Sequence, residues 1–360
     1  MTVLRVLAAV LGSAMVIGTV HSAVLTVVVP RGERVLVSRA LFVITRTFFQ
    51  FYSRGASQSR RDRIMARYAP VSLMLLPVVW AAGVMTGFVF VYWAVGVPWG
   101  DAMTLTGSSI TTLGYQRPDE NGALALSVTE AFLGLAIVAL LISFLPTIYA
   151  HFSRREMLVG KLASRGGTPP TPVELLVRLH NIELVHEVDH MWPEWESWFV
   201  ELGESHTSHP ALVFFRSQTP HESWVLAAAC ILDTASIRVS TLDLPRSPEA
   251  ELCIRAGYLA LRDLAHFYGI AFNPRPRQHD PISIHKPEFD GVYEQLRAAG
   301  IALKRDREQA WRDFAGWRVN YDQALLGLCA LVQAPPAPWS SDRAPEYHRP
   351  PVLRRVETGR

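Results

Sequence analysis

The feature that most constrains this chain is a short polar segment, Asp101 to Gln116, between two apolar runs of membrane-spanning length. The runs cover Val71 to Val95 and Gly122 to Ala150, and about 20 apolar residues suffice to cross a bilayer. Non-helical backbone at membrane depth is tolerated only where protein buries it or where it lines a water-filled cavity. The pattern therefore favours a re-entrant loop that lines a pore. The alternative is a hairpin outside the membrane that conducts nothing.

The loop residues are similar to a known ion-selectivity filter. The predicted filter consists of Thr111, Thr112, Leu113, Gly114, Tyr115 and Gln116. Its first five residues resemble the T-V-G-Y-G loop of potassium channels, whose backbone carbonyls replace the water shell of a cation. Asp101 and Ala102 are similar to the start of that family's pore helix, and Ser109 to Thr112 is similar to its end.

The resemblance covers about Val71 to Arg155 and is to two-transmembrane, one-pore-loop potassium channel-like proteins. It implies that the carbonyls of Thr112 to Tyr115, with the Thr112 hydroxyl, coordinate K⁺ or another monovalent cation. No other cofactor is expected. Gln116 departs from the family, which has a second glycine at this position. Because left-handed backbone costs a residue with a side chain about 1 kcal/mol or more, we expect the outermost carbonyl ring to be rearranged. Cation conduction is therefore predicted, and discrimination of potassium from sodium is left open.

Residues 1–30 are predicted to form an additional N-terminal transmembrane helix. The apolar run from Val6 to Val29 continues past the small residues near Ala23, which favours a membrane span over a cleaved signal peptide. Residues 31–69 are predicted to form an amphipathic helix at the cytoplasmic membrane interface and a basic linker. Arg39 and Arg46 lie on one stripe of that helix and would each cost about 2.5 to 3.5 kcal/mol at the centre of a span. The alternative is a helix packed on a soluble domain.

The distribution of charge predicts the orientation of the spans. The connection between the first two spans carries nine arginines against Glu33 and Asp62, which favours the cytoplasmic side. The loop between the later two spans contains Asp101, Asp119 and Glu120, and such carboxylates would concentrate cations at an outer mouth. We therefore expect a multi-pass protein of the plasma membrane with its C-terminal half in the cytoplasm.

The last apolar run has three special residues. Glu130 lies inside it, and an intramembrane carboxylate is a candidate functional group. We expect Glu130 to accept hydrogen bonds from the pore helix or to stay protonated, and so to support the filter; the alternative is a shallow, hydrated side chain. Gly134 and Pro146 are places where the helix could bend during gating, although glycine also permits close helix packing.

One pore loop per chain implies assembly, because a closed ring of carbonyls needs several copies. The resembling family assembles four chains, so a homotetramer surrounded by membrane lipid is expected. No nucleic-acid partner is expected, and the sequence identifies no regulatory ligand.

The C-terminal half, residues 164–333, is predicted to be a cytosolic all-α domain, which makes the whole chain all-α. Helices are predicted from Thr171 through His190, at Glu222 to Ile237, Pro248 to Phe267, Phe289 to Ala299 and Asp306 to Val332. Residues 334–360 are rich in proline and arginine and are predicted to be disordered.

The sequence H-E-x-x-H at His186 to His190 could place two imidazoles one turn apart on a zinc ion. Trp192 and Pro193 follow at once and are expected to end the helix, and the other ligand candidates are only His206 and His209. A solvated helical face is the favoured interpretation, with no metal and no enzyme activity. The ranking is therefore a tetrameric cation channel, then a non-conducting membrane-anchored sensor or scaffold, which Gln116 favours, and third a zinc hydrolase.

Overall fold

The computed structural model describes residues 2–28, 36–55, 58–217, 219 and 222–346. It divides the chain into two compact units, an N-terminal unit of Met1–Ala150 and a C-terminal unit of His151–Arg360. The described residues form helices joined by turns and loops, without a β-strand. The predicted all-α class is confirmed for this part of the chain.

Six helices begin in the N-terminal unit: α1 (Thr2–Val27), α2 (Leu36–Tyr52), α3 (Gln58–Ala66), α4 (Tyr68–Ala94), α5 (Trp99–Ile110) and α6 (Asn121–Gly166). Three helical stretches are long and apolar enough to cross a membrane, namely Thr2–Val27, Arg60–Ala94 and Asn121–Gly166. The predicted channel region extended to Arg155, whereas the structure assigns residues from His151 onward to the C-terminal unit.

Helices α1 and α4 pack closely through glycines. A Cβ atom added to Gly12 would lie 2.5 Å from the carbonyl oxygen of Gly87, and one added to Gly83 would lie 2.7 Å from the Thr19 hydroxyl. Gly83 and Gly87 are four residues apart, the small-xxx-small spacing that lets helix backbones approach in membranes. This pair of glycines was not predicted, although its spacing is visible in the sequence.

The C-terminal unit contains α7 (Pro172–Asn181), α8 (Trp192–Ser208), α9 (Trp224–Ser240), α10 (Pro248–Tyr268), α11 (Lys286–Ala298), α12 (Arg307–Arg318) and α13 (Asp322–Val332), with 3₁₀ helices at Val185–Met191, Pro210–Phe214 and Ser341–Arg343. Helix α9 is buried over nearly its whole length and lies at the centre of the core. The side chains of Thr171 and Ser247 cap α7 and α10 by accepting the Glu174 and Ala250 N–H groups, each at 3.2 Å.

Two predicted helices of this unit are corrected. The helix expected through His190 ends at Asn181 because Glu183 adopts a positive φ of 63°. Trp192 and Pro193 then start α8, since proline is tolerated in the first helical turn. The single helix expected at Asp306 to Val332 is interrupted between Arg318 and Asp322 and forms α12 and α13.

The predicted disordered tail is corrected for Ala334 to Glu346, which the structure describes. Trp339 is buried, and its carbonyl accepts a hydrogen bond of 2.7 Å from the guanidinium of Arg318. Arg318 is itself fully buried and pairs with Asp233 and Asp322 at 2.5 and 2.8 Å. Arg318, held by these two carboxylates, therefore binds the backbone of residues 334–346 to the core. The proline and arginine content of the tail does not reveal this contact. Residues 347–360 lie outside the described residues.

Candidate functional site

The loop that follows α5 is held by its backbone N–H groups. The N–H groups of Leu113 and Gly114 donate to the carbonyl of Ser108 at 3.1 and 3.3 Å, and that of Thr112 donates to Ser109 at 2.9 Å. The N–H of Gln116 donates to the Ser108 hydroxyl at 2.9 Å. The end of α5 therefore fixes the donor side of the loop.

The carbonyl oxygens of the same loop are left without donors. Among the described residues, no hydrogen bond uses the carbonyls of Thr112, Leu113, Gly114 or Tyr115, and these four residues are exposed in the single chain. A carbonyl oxygen that lacks a donor normally requires water or a cation. The loop thus presents four consecutive acceptors from a backbone in which the N–H groups of Thr112, Leu113, Gly114 and Gln116 are bonded to the end of α5.

The backbone of the loop contains two left-handed residues, Thr112 with φ 55° and Gly114 with φ 68°. Glycine adopts this conformation freely, but a β-branched residue does so only under strain, which is typical of functional sites. Gln116 is not among the described residues with positive φ. The conformational cost expected at Gln116 is therefore carried by Thr112.

Gln116 differs from its neighbours because Ser108 engages both of its backbone groups. The Ser108 hydroxyl donates to the Gln116 carbonyl at 3.1 Å while it accepts the Gln116 N–H. This carbonyl, unlike those of Thr112 to Tyr115, is already occupied by a donor. The sequence analysis did not identify Ser108, because nothing in a loop motif indicates which helix residue lies beneath it.

Glu130 connects three helices from a position with no solvent exposure. Its carboxylate accepts hydrogen bonds from the Thr106 hydroxyl of α5 at 2.8 Å and from the Tyr92 hydroxyl of α4 at 3.0 Å. The bond from Thr106 is the contact expected from the helix that precedes the loop, and the burial does not agree with the hydrated alternative, whereas support of a filter stays a prediction. The tyrosine partner was not predicted.

Gly134 is a close-contact residue of α6. A Cβ atom added there would lie 2.3 Å from the carbonyl oxygen of Ile110, the last residue of α5. Ser127 and Ser109 join the same two helices by a hydrogen bond of 2.7 Å. Of the two roles considered for Gly134, the structure provides a direct reason for close packing. Pro146 lies inside α6, which continues through it.

We expect Gly134→Ala to destabilise the N-terminal unit by about 1 to 3 kcal/mol, the usual cost of overpacking. Gly160→Ala is the matched control, because it lies in the same helix and a Cβ there meets nothing within 4 Å. Thermal melting of the two purified variants in detergent measures the difference. Equal melting temperatures would contradict the packing role and favour a hinge.

The H-E-x-x-H sequence does not form a metal site in the described structure. His186 and His190 are exposed on a 3₁₀ helix, and Asp189 between them pairs with Arg238 at 2.6 Å. Within the described residues, no group of three or more histidine, cysteine, aspartate or glutamate side chains could hold a metal ion.

Of the two other ligand candidates, His206 belongs to a cluster around Arg155 in the C-terminal unit, and His209 packs against the ring of His151 with the ring centres 5.5 Å apart. The guanidinium of Arg155 is buried, lies 3.0 Å from Nε2 of His206 and donates to the carbonyls of Leu212 and Phe215 at 2.9 and 2.7 Å. Burial, and then the positive charge of Arg155, lower the pKa of His206 well below its ordinary value. His206 is therefore held neutral as an acceptor for Arg155.

Acidification should weaken this cluster. Because the unfolded chain protonates His206 near its ordinary pKa of about 6.5 and the folded chain does not, stability is lost as the pH falls below about 6.5, by at most about 1.4 kcal/mol per pH unit. Hydrogen exchange of residues 192–208 in the full-length protein at pH 7.5 and 5.5, corrected for intrinsic rates, measures this loss. His206→Gln keeps an acceptor that cannot be protonated, so it should lose less; an equal loss would contradict the assignment.

Comparison with known proteins supports the conclusion that this chain is a membrane protein. A stretch of 209 residues is 23% identical to the uncharacterized membrane protein YdjJ of Bacillus subtilis (strain 168). The match covers 53% of this chain and 60% of that protein. No protein-family model matches the chain, and no solved structure matches it significantly. With its apolar helices, the chain is a membrane protein with transmembrane helices, and its resemblance to pore-loop channels stays a prediction.

Proposed function

We propose that this protein is a cation channel in which four copies arrange the loop from Thr111 to Gln116 around one axis. The observation that supports this most strongly is the division of the loop's polar groups. The N–H groups of Thr112, Leu113, Gly114 and Gln116 bond to the end of α5, while four consecutive carbonyls, those of Thr112 to Tyr115, have no donor among the described residues. Carbonyl oxygens in this state suit a dehydrated monovalent cation.

Assembly follows from the same proposal. One loop supplies only one side of a coordination shell, so several copies must surround the ion, and four satisfy the geometry of a carbonyl ring. The exposed apolar side chains of α6, among them Phe132, Leu135 and Ile142, would be covered by neighbouring copies or by lipid. In this arrangement the C-terminal unit lies in the cytoplasm and assembles or regulates the pore.

A second candidate function is a membrane-anchored scaffold that keeps the pore-like fold but does not conduct. The bond from Ser108 to the Gln116 carbonyl favours it, because that bond occupies the carbonyl at the last position of the predicted filter. Flux of K⁺ and Na⁺ from liposomes that contain the purified protein separates the two functions. We expect flux of K⁺ at least; an absence of flux for both ions, from protein that is correctly folded and inserted, would favour the scaffold.

Ser108→Ala should change selectivity more than stability. Without the hydroxyl, the Gln116 backbone loses a donor and an acceptor, which allows the last carbonyls of the loop to move. We expect the ratio of K⁺ to Na⁺ flux to change several-fold, and Ser108→Thr, which keeps the hydroxyl, to restore much of the wild-type ratio. An unchanged ratio in Ser108→Ala would contradict a role for Ser108 in positioning the filter.

A further inference from the structure

Helix α2 packs through its polar side and turns its apolar side outward. Ser38, Thr45 and Arg46 are buried. The outward side chains are 65 to 66% exposed and recur at helical spacing on one face; they are Ile44, Phe48, Phe51 and Tyr52. Exposing a contiguous apolar face to water costs free energy, so such a face marks an interaction surface.

The contacts of α2 place it across the ends of two membrane-length helices. Ser38 bonds to Thr26, in the last turn of α1, at 2.7 Å. Thr45 bonds to Ser72, in the second turn of α4, at 2.7 Å. If α1 and α4 span the bilayer, their ends lie near the boundary between hydrocarbon and headgroups. The exposed face of α2 is therefore at the depth where an amphipathic helix inserts.

Positive charge continues from this face into α3. The guanidinium carbon of Arg54 lies 5.5 Å from the centre of the Phe51 ring, and Arg60, Arg61 and Arg63 are exposed on α3. Arginines beside the membrane surface attract the anionic headgroups of phospholipids. The apolar face of α2 and the exposed arginines of α3 thus follow one another in the chain on either side of residues 56–57, which lie outside the described residues.

We propose that α2 and α3 form a docking surface for an anionic phospholipid bilayer. Ile44, Phe48, Phe51 and Tyr52 insert among the acyl chains, and the arginines of α3 bind the phosphate groups of the lipid. The proposal does not depend on ion conduction, because it concerns helices outside the filter.

The test uses Phe48→Cys labelled with an environment-sensitive fluorophore in the full-length protein. The native cysteines Cys230, Cys253 and Cys329 are buried, which restricts labelling to the new site. The protein is placed in nanodiscs of phosphatidylcholine, with or without phosphatidylglycerol. We expect a blue shift of emission in the phosphatidylglycerol discs. The triple variant Arg60→Gln, Arg61→Gln, Arg63→Gln should lose that shift. Each arginine removed should weaken the affinity of this surface for the anionic lipid about fivefold.

The matched control removes three exposed arginines of the C-terminal unit, Arg255→Gln, Arg275→Gln and Arg305→Gln, and should keep the full shift. Water-like emission in phosphatidylglycerol discs would overturn the proposal, as would an equal shift in the α3 variant. Inorganic phosphate added to phosphatidylcholine discs should have no effect; a blue shift there would identify free phosphate, not the lipid surface, as the ligand.

Discussion

Gly114→Val is expected to reduce K⁺ flux to the background of empty liposomes. Gly114 adopts φ 68°, which costs a residue with a side chain about 1 to 2 kcal/mol and a β-branched residue more. The loop must then leave the conformation in which the carbonyls of Thr112 to Tyr115 lack donors. No Cβ clash is involved within one chain, since nothing lies within 4 Å of the added atom, so the protein should fold.

Gly122→Ala is the control for this prediction. It lies in the first turn of α6, has no positive φ, and a Cβ there meets nothing within 4 Å. Its flux should equal that of the wild type. If Gly114→Val conducts as well as Gly122→Ala, the loop is not the filter.

Glu130→Leu is expected to destabilise the N-terminal unit strongly and to abolish conduction. The substitution leaves the hydroxyls of Thr106 and Tyr92 without their acceptor in a buried position, which costs about 1 to 3 kcal/mol for each group. Glu130→Gln keeps one carbonyl oxygen and should fall between the wild type and Glu130→Leu. Melting temperature in detergent and K⁺ flux measure the two effects.

The control for Glu130 is its neighbour Thr129→Val. Thr129 is exposed and its hydroxyl bonds only to the backbone of its own helix, at Ala125, so its loss should change neither quantity by much. If Glu130→Leu melted at the same temperature as Thr129→Val, the proposed role of Glu130 in holding α4, α5 and α6 together would be contradicted.

The sequence was sufficient for features that depend on local chemistry. Runs of apolar residues predicted the long helices, and the position of Glu130 inside such a run pointed to its hydrogen bond with the preceding helix. The all-α class was a consequence of the same periodicity.

Apart from the hydrogen bond between Glu130 and the helix that precedes the loop, contacts between distant residues were not predicted. The packing of Gly134 on Ile110 arises only when α5 and α6 meet. Likewise, the ordered position of Trp339 depends on the Arg318 guanidinium, 21 positions away in the chain. The break at Glu183 required a left-handed residue that no glycine marked.

The most direct test of the proposed channel is the density of the assembled particle in lipid, determined by electron cryomicroscopy in K⁺. We predict four copies, with the carbonyls of Thr112 to Tyr115 surrounding a central column of ion density. A single protomer in the lipid, or loops that lie apart from any central axis, would contradict the account.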